Sequence, residues 1–201
     1  MTTQHPSIDK RLPWSVGRWT NPPISAVTNE GGALIVTAAE FSDAWRTTYY
    51  GFTHDSEHAL LAAFPVGAAI EVTFTAELPE QFDQAGIFVS IDHERWIKSG
   101  LERSDGRLQL GAVVTRGHSD WSVAPVDDWA GHRVTIRISR TRDALIIRAG
   151  LAGQSKQFVR VTPLDPECPT QAGPYLCSPT RKGLSVRFHS WDLTPADNAL
   201  H

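Results

Sequence analysis

The feature that most constrains this chain is the alternation of apolar and polar residues with a period of two, which recurs along most of its length. It is clearest in residues 69–75, 133–139 and 184–191, where β-branched and aromatic side chains occupy every second position. Successive side chains of a strand point to opposite faces of a sheet, so this pattern is typical of half-buried antiparallel strands. No stretch of the sequence repeats apolar residues at helical spacing for more than about one turn. The alternation therefore predicts an all-β chain.

Turn signals such as Asp105-Gly106 and Gly117-His118 separate further predicted strands. These strands cover 33–38, 44–52, 59–64, 85–91, 95–99, 107–116, 119–123, 144–150 and 157–162. About a dozen short strands in one chain indicate a two-sheet sandwich or a closed barrel. We expect a single domain over 11–194, with a flexible N-terminus at 1–10 and a flexible tail at 195–201.

Residues 163–180 interrupt the strand pattern. They hold five prolines and both cysteines. Because proline cannot donate a hydrogen bond to a sheet ladder, this segment is predicted to be a long ordered loop or an edge segment.

The composition excludes several classes of protein. The 201 residues carry 19 basic and 22 acidic side chains, a balance that argues against a nucleic-acid partner. No run approaches the roughly 18 apolar residues of a membrane-spanning helix, and the N-terminus lacks the apolar core of a signal peptide. Cys168 and Cys177 are too few for a disulfide scaffold. We therefore interpret them as reduced thiols and expect a cytoplasmic protein with no membrane partner.

Tryptophan is the unusual residue of the composition, because seven are present. Large polar-tipped side chains form four clusters, at 43–52, 83–86, 96–102 and 119–122, and His58 follows the first cluster. In the third cluster, alternation directs Lys98 and Glu102 to the same face as Trp96. Sugars present hydroxyls to polar side chains and apolar C–H faces to aromatic rings. The clusters are therefore typical of a carbohydrate site, provided that they share one sheet face.

Each cluster also has a structural interpretation. A solvated face with a salt bridge would explain 96–102, and a packed central strand would explain 43–52. Gly86 would mark a bulge or a close approach within its strand, and Asp120 would accept local backbone hydrogen bonds. Motifs with sharper meaning are absent from the sequence, including a nucleophile elbow, zinc-ligand spacing and a glycine-rich phosphate loop. We expect no cofactor.

In their order along the chain, these clusters resemble a known family. The motifs that carry the resemblance are Trp19 with Asn21-Pro22-Pro23, then 43–52, 83–86, 96–102, 114–122 and 173–179. They resemble the family of unknown function that is named after the fungal regulation of enolase protein, over about Trp14 to Leu193. The resemblance implies a concanavalin A-like lectin/glucanase fold, which is a two-sheet antiparallel jelly-roll sandwich. The usual site of that fold is the concave face of one sheet.

The family pattern implies that ten side chains lie on or near that concave face and bind a ligand. They are Trp45, Arg46, Tyr50, His58, Gln84, Lys98, Glu102, Thr115, Asp120 and Trp121. Retaining glucanases of this fold carry Glu-x-Asp-x-x-Glu on one strand, but here Glu71 is followed by Thr73 and Ala76 at the other two positions. That glucanase mechanism is therefore not expected, and the lack of a dense acidic loop predicts no metal.

Three functions stay open at this point. The first is a module that binds a small sugar or a glycan without catalysis. The second is a carbohydrate-active hydrolase or lyase in which Glu102 and Asp120 are the acid and the base, tuned by Lys98 or Arg46. The third is a regulatory protein of carbohydrate metabolism that acts through a protein partner. The sequence favours the first, because the glucanase signature is missing, and it leaves the ligand and the oligomeric state open.

Overall fold

The computed structural model of the protein describes residues 9–200, which form two large antiparallel sheets and a short hairpin. Within these residues the strands are β1 (Lys10–Arg11), β2 (Arg18–Trp19), β3 (Ser25–Thr28), β4 (Leu34–Thr37), β5 (Ala44–Arg46), β6 (Thr53–Asp55), β7 (His58–Ala63), β8 (Ala68–Ala76), β9 (Gln84–Ser90), β10 (Arg95–Ser104), β11 (Arg107–Arg116), β12 (His118–Pro125), β13 (Val134–Arg140), β14 (Ala144–Leu151), β15 (Gln157–Pro163), β16 (Gln171–Cys177) and β17 (Ser185–Pro195). The helical elements of the same range are two short 3₁₀ turns, Trp14–Val16 and Asp127–Trp129. The predicted all-β architecture is confirmed.

Strands that are distant in the sequence are neighbours in both sheets. Over the described residues, one sheet has eight strands in the order β15–β14–β13–β8–β17–β4–β3, with β1 added to β17. The other has seven strands in the order β12–β11–β10–β9–β16–β7–β2, and β5 pairs with β6 as a separate hairpin. In each sheet a strand from the middle of the chain pairs with one near its C-terminal end, since β8 pairs with β17 and β9 pairs with β16.

The main apolar core lies between the two large sheets. It is built from the apolar side of the alternation, and Ile70, Phe74, Ile87, Ile136 and Trp191 are fully buried in it. Burial of each such side chain contributes roughly 1.5–3 kcal/mol. The core thus holds the seven-stranded sheet rigidly, and that sheet carries the candidate site.

A second apolar cluster covers the opposite face of the seven-stranded sheet, called the outer face below. Phe88 and Trp96 stack there with ring centroids 5.3 Å apart, and Trp45 of the hairpin packs into the same cluster. Ile97 and Leu101 of β10 point into the main core instead. The alternation of β10 therefore divides its side chains between the two faces as predicted.

The prediction of a continuous strand over 44–52 is wrong, because β5 ends at Arg46 and β6 begins at Thr53. Between them, Thr47 and Tyr49 have positive φ angles of 61° and 64°. A backbone hydrogen bond of 2.7 Å closes a turn around each of them: the Thr48 N–H donates to the Arg46 carbonyl, and the Tyr50 N–H donates to the Thr48 carbonyl. Such positive-φ γ-turns are rare and strained, and strained backbone of this kind clusters at functional sites. The β propensity of this aromatic segment is overridden by the turn.

The prediction of a loop or edge segment over 163–180 is wrong for its second half. Residues 171–177 form β16, which lies inside the seven-stranded sheet between β9 and β7. The ladder with β7 lacks pairs at Gly173 and Pro174, and the register is the same on both sides of this gap. A residue without an N–H can be accommodated inside a sheet at such an interruption.

The predicted flexible ends at 1–10 and 195–201 lie partly outside the described residues, because 1–8 and 201 are not described. In the described part, β1 pairs with β17. Asp197 forms ion pairs with Arg137 at 2.9 Å and with Arg148 at 3.2 Å. Over residues 9–200, no helix has the length and apolar character needed to cross a membrane. Both cysteines are free thiols.

Candidate functional site

A pocket of about 450 Å³ opens on the outer face of the seven-stranded sheet, beside the β5–β6 hairpin. Strands β9 to β12 form its floor. Its walls come from the hairpin and from the chain around residues 41–43, 82 and 179–180. The volume lies within the range of about 300–1,000 Å³ that is typical of small-molecule sites.

A row of glycines opens the sheet surface beneath the pocket. Gly86 of β9 pairs with Gly100 of β10, and Gly100 pairs with Gly111 of β11. A Cβ atom on Gly86 would lie 2.1 Å from the carbonyl oxygen of Ser99, so the neighbouring backbone leaves no room for a side chain there. Gly86 thus marks a close approach of two strands. The ladder between β9 and β10 continues through it in register, without a bulge.

Aromatic rings form the apolar wall of the pocket. The rings belong to Phe41, Trp45, Tyr50, Phe52, Phe82 and Trp121. Trp45 packs edge-on against Trp121, with centroids 6.4 Å apart, and against Tyr50 at 5.7 Å. Tyr50 in turn stacks on Phe52 at 5.3 Å. Tyr50 and Phe52 are half-exposed, so their free surfaces border the mouth of the pocket.

The polar floor contains a nearly buried ion pair. Lys98 Nζ donates to Asp43 Oδ1 at 3.2 Å, and the two side chains are only 4% and 18% exposed. The same oxygen accepts from Gln84 Nε2 at 3.3 Å, and the Tyr175 hydroxyl donates to Gln84 Oε1 at 3.4 Å. Burial is the largest single influence on the pKa of Lys98 and lowers it, but the neighbouring acidic groups, Asp43 first among them, together outweigh burial, and the pKa is raised. Lys98 therefore remains an ammonium ion.

Glu102 lines the same pocket, four residues further along β10 than Lys98. Its carboxyl forms no hydrogen bond or ion pair with another residue in the described part of the chain. Burial raises the pKa of Glu102 to about 7, and the attraction of Lys98 offsets this only in part. A carboxyl that changes its charge near neutral pH is typical of groups that bind ligands or move protons.

The structure brings together six of the ten predicted side chains. The pocket is lined by Trp45, Tyr50, Gln84, Lys98, Glu102 and Trp121. The four that lie outside it are Arg46, His58, Thr115 and Asp120. Three of these four hold the surrounding segments in place, and the fourth lies on another surface.

Arg46 and Thr115 anchor the hairpin to the sheet. The Arg46 guanidinium pairs with Glu94 at 2.9 Å, and the Arg46 backbone N–H donates to Ser119 Oγ at 2.9 Å. Ser119 shares a further hydrogen bond of 2.9 Å with the Thr115 hydroxyl. These contacts fix the position of the hairpin that carries Trp45.

His58 links three segments of the chain. Its Nε2 accepts from the Ala39 backbone N–H at 2.9 Å, so its Nδ1 donates to the Asn21 carbonyl at 3.0 Å. Burial lowers the pKa of His58, and the ring is therefore neutral in this arrangement.

Asp120 lies on the other side of β12 from the pocket. It pairs with Arg160 at 2.6 Å, and its side chain is 67% exposed. Because adjacent residues of a strand point to opposite faces, Asp120 faces away from the side that carries Trp121. The structure therefore does not bring Asp120 and Glu102 together as an acid and a base.

The ten predicted residues do not include all of the pocket lining. The additional residues are Phe41, Asp43, Phe52, His54, Phe82, Val113, Pro179 and Thr180. Phe41 and Phe82 both have positive φ angles, 64° and 65°, which nothing in the sequence signals for a phenylalanine. Asp43 and Phe52 lie within the first sequence cluster, at 43–52, so the residue types of that cluster already indicated them as candidates. Among residues 9–200, no three acidic, histidine or cysteine side chains are grouped closely enough to hold a metal ion.

The fold and the site together define a concanavalin A-like sandwich with a ligand-sized pocket on the outer face of one sheet. The GH43 protein BlXynB from Bacillus licheniformis shares this fold, with a TM-score of 0.67 at 12% identity over 94% of this chain. That match covers 38% of the longer chain. At this identity the likeness concerns the fold alone.

Residues 19–196 match the model of a family described as a protein of unknown function (DUF1349). Regulation of enolase protein 1 of Saccharomyces cerevisiae is 38% identical over 199 residues, which is 96% of each chain. A solved structure of a functionally unknown protein from Saccharomyces cerevisiae matches with a TM-score of 0.86, at 34% identity, over 93% of this chain and 100% of that one. The chain belongs to the DUF1349 family, and the resemblance drawn from its motifs is confirmed.

Proposed function

We propose that this protein binds a small sugar or sugar derivative in the pocket between the β5–β6 hairpin and the seven-stranded sheet. The observation that carries the proposal is that one pocket combines a wall of aromatic rings with a floor of polar groups that have unused hydrogen-bonding capacity. A sugar needs both surfaces, because its ring has apolar C–H faces and polar hydroxyl edges.

The floor offers complementary partners for hydroxyl groups. Among the described residues, Lys98 uses one of its three ammonium protons, on Asp43, and the carboxyl of Glu102 has no partner. A hydroxyl can accept from an ammonium and donate to a carboxylate. Different hydroxyls of one sugar can therefore engage Lys98 and Glu102.

The wall offers a surface for the apolar side of the ring. Trp121 is partly exposed and borders the pocket, whereas Trp45 is nearly buried and donates its indole N–H to the Thr48 carbonyl at 2.9 Å. Trp121 is thus free to contact a ligand, and Trp45 holds the wall in position.

Catalysis remains the second candidate, because the pKa of Glu102 lies at about 7. With Asp120 outside the pocket, the other carboxyl of the floor is Asp43. Asp43 is held by Lys98 and Gln84, so of the two carboxyls of the floor Glu102 is the one able to exchange a proton. Turnover of a bound sugar would establish an enzyme, and binding without turnover would establish a binding module.

Trp121→Ala is expected to weaken sugar binding by about tenfold or more, since about 1.4 kcal/mol corresponds to a factor of ten. The measurement is a thermal-shift screen of mono- and oligosaccharides, followed by calorimetric titration. A ligand at about 100 times its Kd should stabilise the wild type by about 2.7 kcal/mol, or roughly 5–10 °C in Tm.

The matched control for this prediction is Phe158→Ala, which removes a half-exposed aromatic ring of β15 outside the pocket. It should leave the affinity unchanged. Equal affinities of the wild type and Trp121→Ala would contradict a site at this wall. A screen in which no sugar shifts the Tm would instead favour the role through a protein partner.

A further inference from the structure

The charges of the pocket floor leave one carboxyl without a counterpart. Lys98 and Asp43 neutralise each other at 3.2 Å, whereas Glu102 pairs with no residue between 9 and 200. A carboxylate that is taken out of water is costly unless it is paired. When Glu102 is ionised, the floor therefore carries one uncompensated negative charge.

The other titratable groups near Glu102 come from three further elements. Asp43 precedes β5, His54 lies on β6, and Tyr175 and Cys177 lie on β16. Burial raises the pKa of Tyr175 and that of Cys177 well above their usual ranges, so both are neutral at physiological pH. His54 is a further ionisable side chain in the wall of the pocket.

Aromatic rings line the same pocket as this uncompensated charge. The faces of such rings attract a cation that lies within about 6 Å of the centroid. Lys98 already makes one contact of this kind, with Nζ 6.0 Å from the centre of the Trp96 ring. A cation in the pocket would be attracted by Glu102 and by the rings of the wall. An anion would be repelled by the ionised Glu102.

We propose that the ligand is a sugar derivative that carries a protonated amine, held by an ion pair with Glu102 and by the aromatic rings around it. This inference rests on the proposed function and names the substrate class of the same pocket. The hydroxyls of the ligand accept hydrogen bonds from the free protons of Lys98. The ligand thus supplies the one positive charge that the floor lacks.

Binding of an amine is coupled to the ionisation of Glu102. In the free protein burial raises the pKa of Glu102 to about 7, and an ammonium in contact with it stabilises the charged form. Binding therefore releases about half a proton per ligand at pH 7 and nearly one at pH 5.5. Between about pH 5.5 and about pH 7.5 the ionised fraction of Glu102 rises about 25-fold, and the affinity for the amine rises with it. A neutral sugar shows no such rise.

The test is isothermal titration calorimetry of the full chain at these two pH values, in buffers of different ionisation enthalpy. The probes are glucose, galactose and mannose, each compared with its 6-amino-6-deoxy derivative, together with hexylamine as an amine without a sugar. Glu102→Gln is the test variant, and Asp120→Asn is its matched control, because it makes the same chemical change outside the pocket. His54→Gln examines the other ionisable side chain that lines the pocket wall.

The expected result is that at least one amino sugar binds with proton release and gains about 25-fold in affinity with rising pH. Glu102→Gln should abolish this gain and weaken the amino sugar by at least about tenfold, while Asp120→Asn behaves like the wild type. The neutral parent sugar should change by only about threefold in Glu102→Gln, because an amide still hydrogen-bonds a hydroxyl.

Other results would overturn the inference in distinguishable ways. If neutral sugars bind as tightly as their amino derivatives and release no proton, the amine is excluded and the sugar site stands. If hexylamine binds as tightly as the amino sugars, the sugar is excluded and recognition of the amine stands. A pH dependence that persists in Glu102→Gln and disappears in His54→Gln overturns the role of Glu102. Failure of every probe to bind overturns both proposals.

Discussion

Asp43→Ala will lower the free energy of unfolding by about 3–5 kcal/mol, the usual cost of leaving a buried charge without its partner. The substitution removes the carboxylate that lies 3.2 Å from Lys98 Nζ, and the Lys98 side chain is only 4% exposed. For a domain of this size the loss corresponds to a fall of roughly 6–20 °C in Tm. Urea unfolding at neutral pH measures it directly.

Two variants separate the cost of stranding the Lys98 charge from the cost of simply shortening a side chain. Asp192→Ala removes a carboxylate that pairs with the exposed Arg11 and should cost at most about 1 kcal/mol. Lys98→Met added to Asp43→Ala should recover most of the lost stability, because it removes the stranded ammonium and keeps most of its volume. If Asp43→Ala costs no more than Asp192→Ala, Lys98 and Asp43 do not form the buried pair described above.

The pH dependence of the Asp43→Ala variant follows from the same contact. Without the carboxylate, burial is the largest remaining influence on Lys98, and it lowers the pKa of that side chain in the folded state. Folded Lys98 then loses its proton at a lower pH than the unfolded chain does. The stability of the variant should therefore recover partly as the pH rises towards the ordinary pKa of lysine.

The sheets and their faces were predictable because strand side chains alternate with an exact period of two. In β10 this rule alone separated Ile97 and Leu101, which enter the core, from Trp96, which lies on the outer face. The same rule opposes Asp120 to Trp121, since they are neighbours on one strand. The prediction that Asp120 and Trp121 line one site did not apply this rule, and in the structure Trp121 lines the pocket whereas Asp120 lies outside it.

The pocket itself was less predictable, because its walls are set by turns and by contacts between distant segments. Asp43 reaches Lys98 across 55 positions of the sequence, and no local pattern records such a contact. The hairpin depends on positive φ angles at Thr47 and Tyr49, whose side chains do not favour them. The interior position of β16 depends on a gap in the ladder with β7 at Gly173 and Pro174, whereas proline alone indicates an edge or a loop.

Glu102→Gln will raise the free energy of unfolding by about 3 kcal/mol above neutral pH and leave it unchanged in acid. Burial raises the pKa of Glu102 to about 7 in the folded protein, compared with 4.5 for an unperturbed glutamate. From pH 4.5 to about 7 the folded state therefore holds a proton that the unfolded state has lost. The contribution of the protonated Glu102 to the free energy of unfolding is complete below pH 4.5 and is lost as the pH rises through about 7. The measurement is urea unfolding of the wild type and the variant across this range.

Asp120→Asn is the control for this prediction, because its exposed carboxyl should leave the pH dependence of stability unchanged. Parallel stability curves for the wild type and Glu102→Gln would contradict the burial of this carboxyl. The expected divergence has a functional meaning, because a glutamine in this pocket would fold more stably at neutral pH. Binding sites commonly retain destabilising groups of this kind where activity depends on them. An amine ligand that pairs with Glu102 would restore the lost stability on binding, since it stabilises the folded state alone.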